Sequence, residues 1–156
     1  MDLTSLGGAT SLDPAAKRAA PPLVIAELGA AGGGMLDHIG FKVRDVEASR
    51  RFYTAALAPL GVGVAMEFAG HVGMGRDGRP QFWFSQGDPP ASPLHLAFSA
   101  RNRAEVDAFH AAALKAGARD NGAPGLRPHY HPNYYGAFAF DPDGHNIEAV
   151  CHRPEP

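Results

Sequence analysis

The stretch His38-Ile39-Gly40-Phe41-Lys42-Val43-Arg44-Asp45 returns 57 residues later as His95-Leu96-Ala97-Phe98-Ser99-Ala100-Arg101-Asn102. The match continues: Phe52 falls on Phe109, and Ala55-Ala56-Leu57 on Ala112-Ala113-Leu114. Over positions 38–57, 7 of 20 residues are identical. Self-similarity at a fixed spacing means that one structural unit is used twice. In the first copy Ile39, Phe41 and Val43 alternate with His38, Gly40 and Lys42, the period of a strand with one buried face. Asp45 then stands where a helix wants its N-cap. Val46, Ser49, Phe52, Tyr53, Ala56, Leu57 and Leu60 follow at helical spacing until Pro59 and Gly61. The second copy reads the same way. Leu94, Leu96 and Phe98 alternate, Asn102 caps, and Glu105 sits where a capping box places its acid. Val106, Phe109, Ala113 and Leu114 form the stripe, and Gly117 ends it.

Each copy closes with strands. In the first these are Val62–Phe68, His71–Gly75 and Gln81–Ser85, with a hairpin turn at Asp77-Gly78. Gly87, Asp88, Pro89, Pro90 and Pro93 mark the connection between copies. In the second copy a long loop is expected over Asp120–Pro132, then a strand at Tyr134–Phe140. A turn at Asp141-Pro142-Asp143-Gly144 and a last strand at Asn146–His152 follow. Strand, helix and further strands, twice over, give an α+β fold with an antiparallel bias.

Residues 1–34 hold 6 Gly, 8 Ala and 3 Pro, with no aromatic residue and no histidine. Such a segment cannot offset its own ordering entropy and is read as a flexible leader. Pro21, Pro22 and Glu27 break its only apolar run, a poor fit to a secretory signal. The folded unit is expected over 35–154, as two repeats at about 35–88 and 93–152. Net charge is −2 among 156 residues, without the basic field of a nucleic-acid binder. No run approaches a membrane span. One cysteine, Cys151, excludes an internal disulfide and a cysteine-cluster zinc site, and a reducing, cytoplasmic compartment is the simple expectation.

Three segments together resemble the vicinal oxygen chelate superfamily of glyoxalase I, bleomycin and fosfomycin resistance proteins, methylmalonyl-CoA epimerase and extradiol dioxygenases. They are Leu36-Asp37-His38-Ile39-Gly40-Phe41, Arg51-Phe52-Tyr53, and Asp141-Pro142-Asp143-Gly144-His145-Asn146-Ile147-Glu148. The resemblance covers about 36–152. It implies two tandem βαβββ units forming a curled mixed sheet around a cleft. It also implies a homodimer whose cleft a second chain can complete. The family takes metal ligands from the first and last strands of each unit. Those positions fall on His38, His95 and Glu148. The remaining one falls on Phe82 or Trp83, depending on register, and neither coordinates a metal. This departs from the Glu or Gln of glyoxalase I-like proteins.

Two imidazoles and a carboxylate form a facial triad with open positions, suited to Fe, Mn, Ni, Co or Zn as the divalent ion. The same-face neighbours of His38 and His95 are Gly40 and Ala97, small enough to leave room in front of each ring. A single histidine on a half-buried strand is ordinarily a hydrogen-bonded residue. Two at equivalent places with a carboxylate at a third raise the metal reading. Glu148 lies inside an apolar strand and needs a metal, a cation or solvent as partner.

Arg127-Pro128-His129-Tyr130-His131-Pro132-Asn133-Tyr134-Tyr135 is the second cluster. Its functional reading is a pocket wall, with His131 or His129 as acid/base and Arg127, Tyr130, Asn133 and Tyr134 contacting substrate beside Trp83. The plainer reading is a proline-stiffened loop covering a sheet end. His131 roughly fits the extradiol dioxygenase pattern, but Phe138 stands at that family's tyrosine position. His71 and His110 are read as surface residues, and His145 as a turn residue. Cys151 and His152 are adjacent on a strand and point to opposite faces, which argues against a nucleophile pair. Two functions follow. One is a small metalloenzyme performing Lewis-acid chemistry on a small oxygen-rich substrate, as lyase, isomerase or dioxygenase. The other is a metal-free binder of a flat aromatic or cationic molecule. The retained triad favours the enzyme.

Overall fold

The computed structural model describes residues 36–154; the expected leader at 1–34 lies outside them. The first repeat runs β1 (Ile39–Val43), α1 (Val46–Leu57), a 3-10 turn (Ala58–Leu60), β2 (Gly63–Phe68), β3 (His71–Arg76) and β4 (Arg79–Gln86). The second runs β5 (His95–Ser99), α2 (Arg103–Lys115), β6 (Arg119–Leu126), β7 (Tyr135–Phe140) and β8 (Asn146–Cys151). The strands form two four-stranded mixed sheets, ordered β1-β4-β3-β2 and β5-β8-β7-β6. The orders are the same once the second repeat is laid on the first. In each sheet the opening strand pairs parallel to the closing one, and the remaining pairs are antiparallel.

The caps set the helix starts. Asp45 accepts from the Ala48 N–H and Asn102 from the Glu105 N–H, each at 2.9 Å. Glu105 reaches back to the Arg101 N–H at 2.7 Å, one residue before the cap. Asp77 and Gly78 both take positive φ, 52° and 73°, as a two-residue hairpin turn between antiparallel strands requires.

One face of each sheet packs on its helix and the other stays open. Val43, Phe82, Phe84 and Met74 join Phe52, Tyr53 and Leu57 of α1; Ile147, Ala149, Ala137 and Ala139 join Val106, Phe109 and Ala113 of α2. The two sets form one continuous core, with Phe82 and Phe98 in contact across the repeats at 5.2 Å between ring centres. Each large side chain buried this way contributes ~2 kcal/mol.

Polar brackets tie the repeats together. Tyr53 of α1 donates to Asp141 Oδ2 at 2.5 Å, and burial beside that carboxylate pushes the phenol well above its ordinary range. The Arg44 N–H donates to Asp143 Oδ2 at 3.2 Å. From the other side, Arg76 donates to the carbonyls of Leu60 at 2.8 Å and Ser99 at 2.5 Å. The closing turn therefore fastens one repeat to the other.

Two expectations need correction. The long loop at Asp120–Pro132 is mostly β6, an edge strand bulged around Gly122. Its sequence, Arg-Asp-Asn-Gly-Ala-Pro-Gly-Leu, has no alternation and carries a proline, which only an edge strand accepts. His110 is buried, not on the surface, and its Nε2 stands 2.9 Å from Asp120 Oδ1. His145 is also fully buried, with Nδ1 accepting from the Leu94 N–H at 3.1 Å.

The His110–Asp120 pair yields a pH prediction. The Gly122 N–H and then His110 hold the Asp120 carboxyl below its ordinary value of 3.8. A depressed carboxyl adds stability above its unfolded pKa and loses it as pH falls through the folded one. Asp120→Asn will therefore show a shallower loss of stability below about pH 4 than the parent chain, measured by urea titration across pH. Equal slopes would remove Asp120 from the acid limb.

Candidate functional site on the open sheet faces

The ladder registers settle which residues share a face. Glu148 pairs with Ala97 on one side and Phe138 on the other. His95 lies two residues before Ala97, so His95 and Glu148 project from the same open face. His95 Nε2 stands 3.0 Å from Glu148 Oε2. The His95 side chain is 56% exposed, whereas that of Glu148 is 1% exposed. A buried carboxylate thus looks out through an accessible imidazole. Its second oxygen, Oε1, accepts from the Tyr134 hydroxyl at 2.5 Å. Burial, then this hydrogen bond, pushes the Tyr134 phenol above its ordinary value, so it remains a donor.

Phe138 and Arg127 complete this face. The Phe138 ring lies 6.3 Å from the His95 ring, and the Arg127 guanidinium lies 5.6 Å from the Phe138 ring centre. The glycines of β6 make the space. A Cβ on Gly125 would come within 2.8 Å of Arg127, and one on Gly122 within 3.0 Å of Phe138. The residues that hide β6 from a periodicity reading are the ones that let these two side chains lie down.

The rest of the loop forms an aromatic rim. The Tyr130 ring packs 4.2 Å from His129 and 5.1 Å from Tyr134; His152 stands edge-on to Tyr134 at 5.0 Å and near His131 at 5.8 Å. His129, Tyr130 and His131 are exposed. The Asn133 N–H donates to His131 Nδ1 at 3.2 Å. Arg127 donates to the Ala123 carbonyl at 2.7 Å.

The open face of the first sheet carries His38, and Trp83. Gly40 pairs with Trp83 as Ala97 pairs with Glu148. The register thus decides between Phe82 and Trp83: Trp83 occupies the place matched to Glu148, and Phe82 is core. Its indole lies flat on β3, where a Cβ on Gly73 would come within 2.7 Å of the ring. His38 is 56% exposed, and its Nδ1 lies 2.8 Å from Asp37 Oδ1. Asp37 also lies 3.6 Å from the Arg79 guanidinium. On the same face Lys42 Nζ donates to Ser85 Oγ at 2.7 Å.

The structure therefore brings His95 and Glu148 together and leaves His38 on the other sheet. Among the described residues no group of three or more His, Cys, Asp and Glu side chains is close enough to hold a metal. The Tyr134–Glu148 contact and the Arg79–Asp37 contact are not readable in sequence. Each depends on a partner brought in by the sheet register.

The matching model is that of the glyoxalase/bleomycin resistance protein/dioxygenase superfamily, over residues 35–149, and the chain belongs to this family. A glyoxalase/bleomycin resistance protein from Albidiferax ferrireducens T118 is 31% identical, with a TM-score of 0.66 over 78% of this chain and 100% of that one. The oxidase ChaP-H1 is 23% identical, with a TM-score of 0.58 over 78% and 98% of the two chains. A family enzyme from Burkholderia phytofirmans PsJN is 18% identical, with a TM-score of 0.58 over 73% and 95%. The last two likenesses show the fold alone. No curated protein matches the chain. Among the described residues no helix is long and apolar enough to cross a membrane.

Proposed function

We propose that this chain is a divalent-metal enzyme of its family, acting on a small oxygen-rich molecule at a site that two copies of the chain complete. The observation that carries the reading is the His95–Glu148 pair. An imidazole nitrogen and a carboxylate oxygen are both divalent-metal donors, and His95 Nε2 and Glu148 Oε2 meet on one sheet face, 3.0 Å apart. The donor set fits a divalent ion. His95 and Glu148 would hold two positions, and His38 of a second copy the third. Trp83, at the matched fourth place, leaves the coordination open and offers an indole wall instead.

The bound ion would supply Lewis acidity to a pair of neighbouring substrate oxygens. The chain supplies the rest. Phe138 and the Tyr130 ring, with Trp83 of the second copy, would bound the space. Arg127 and Asn133 lie on the rim where a polar substrate group enters, and His131 and His129 present exposed imidazoles there as proton carriers. The second reading, a metal-free binder of a flat aromatic or cationic molecule, draws on Trp83 at the ligand place.

Metal content decides between the two. Chelator-free protein loaded with Fe, Mn, Ni, Co or Zn is expected to retain near-stoichiometric metal by mass spectrometry, and His95→Ala to lose it. Metal no higher in the parent chain than in His95→Ala would overturn the enzyme reading in favour of the binder.

A further inference from the structure

Glu148 has both carboxylate oxygens engaged, Oε2 by His95 and Oε1 by Tyr134. The two contacts have different fates. Were His95 and Glu148 to hold a divalent ion, the hydrogen bond between Nε2 and Oε2 would give way to it. The Tyr134 contact, on the other oxygen, survives. We infer that Tyr134 is a positioning residue: its hydroxyl pins Oε1 so that Glu148 offers a divalent ion a single oxygen, Oε2. This inference rests on the metal reading of the His95–Glu148 pair.

A second observation supports it. A Cβ on Gly136 would come within 2.9 Å of Glu148 Oε1 and 3.1 Å of the Tyr134 ring. Gly136 is not among the residues with positive φ, so its backbone accepts any side chain. What the position forbids is volume, and the volume it protects is the meeting point of phenol and carboxylate. Strand β7 therefore carries a glycine in a buried position, at a cost in strand stability, where the Tyr134–Glu148 bond passes over it.

A carboxylate pinned at one oxygen binds one face of an ion and leaves the adjacent position open. Freed, it would no longer be held in place for an ion, so that ordering it on binding would cost affinity even where it turned to offer both oxygens. Outer-shell partners of metal ligands typically govern 10–100-fold in affinity. Tyr134→Phe keeps the ring and its packing on Tyr130 and His152 while removing the donor.

Two measurements on the full chain test this. In metal-free protein, the infrared carboxylate stretch assigned to Glu148 by difference against Glu148→Gln should shift in Tyr134→Phe. With Co2+ as the probe, Tyr134→Phe should bind ~10–100-fold more weakly, and its visible d–d absorption should weaken as coordination number rises. Gly136→Ala should change in the same direction. Parent-like Co2+ affinity and spectrum in Tyr134→Phe would overturn the inference. A shifted infrared band in a protein whose parent takes no Co2+ would instead show that the metal reading fails while the Tyr134–Glu148 contact stands. An unshifted band would remove Tyr134 from the carboxylate altogether.

Discussion

Glu148→Gln will fold like the parent chain and lose divalent metal by roughly 100-fold or more, since even outer-shell partners are worth 10–100-fold. The physical reason lies in what the substitution keeps. Gln has the same shape, and its amide oxygen can still accept from the Tyr134 hydroxyl. Its amide nitrogen can donate to His95 Nε2, which then takes the acceptor tautomer. Both hydrogen bonds at the site survive, and a buried charge, 1% exposed, is removed. Burying a carboxylate for stability alone is poor design. The variant should therefore match the parent in thermal midpoint, or exceed it, while its metal titration flattens. Calorimetric metal titration beside a melting curve checks this. Retained affinity would place the ion away from Glu148.

Asp141→Ala should have the largest effect on stability. The carboxylate accepts from Tyr53 at 2.5 Å, from the His145 N–H at 2.7 Å and from the Asp143 N–H at 3.0 Å. Two of those donors are fully buried residues, Tyr53 and His145. Hydrogen bonds to a charged group are worth ~1.5–3 kcal/mol each, and an orphaned buried donor costs more than a lost neutral bond. A loss of ~3–5 kcal/mol is expected, lowering the midpoint by on the order of 10 °C. Tyr53→Phe, which removes one donor only, should cost ~1–2 kcal/mol. Denaturant unfolding of both variants and their double mutant gives the coupling. A cost below ~1 kcal/mol for Asp141→Ala would show that the closing turn does not fasten the repeats.

This turn shows how far the sequence could be read. Asp141-Pro142-Asp143-Gly144 was legible as a hairpin and as part of a family resemblance, because proline, glycine and aspartate act locally. Its role, gripping Tyr53 and Arg44 of the other repeat, was not legible, because that contact spans 88 residues in the case of Tyr53. The strands and helices whose periodicity is carried by large side chains, β1, β5, α1 and α2, fall where the alternation and caps placed them. β6 was lost because its glycines serve neighbours, Phe138 and Arg127, and leave no pattern of their own. Trp83 against Phe82 could not be decided without the parallel pairing of β1 with β4. His95 and Glu148 were legible as ligand types and come together. His38 was legible too, and only the sheet arrangement shows that it stands apart from them.

On the proposed shared site, each chain would give His95 and Glu148 to one metal centre and His38 to another. Heterodimers of His38→Ala and Glu148→Ala chains, isolated through two different affinity tags, test it most directly. Each variant alone should hold no metal above background. In the heterodimer one site pairs His38 of the Glu148→Ala chain with His95 and Glu148 of the other, and one ion per pair of chains should return. A heterodimer that forms but stays as metal-poor as its parents would contradict a site shared between chains.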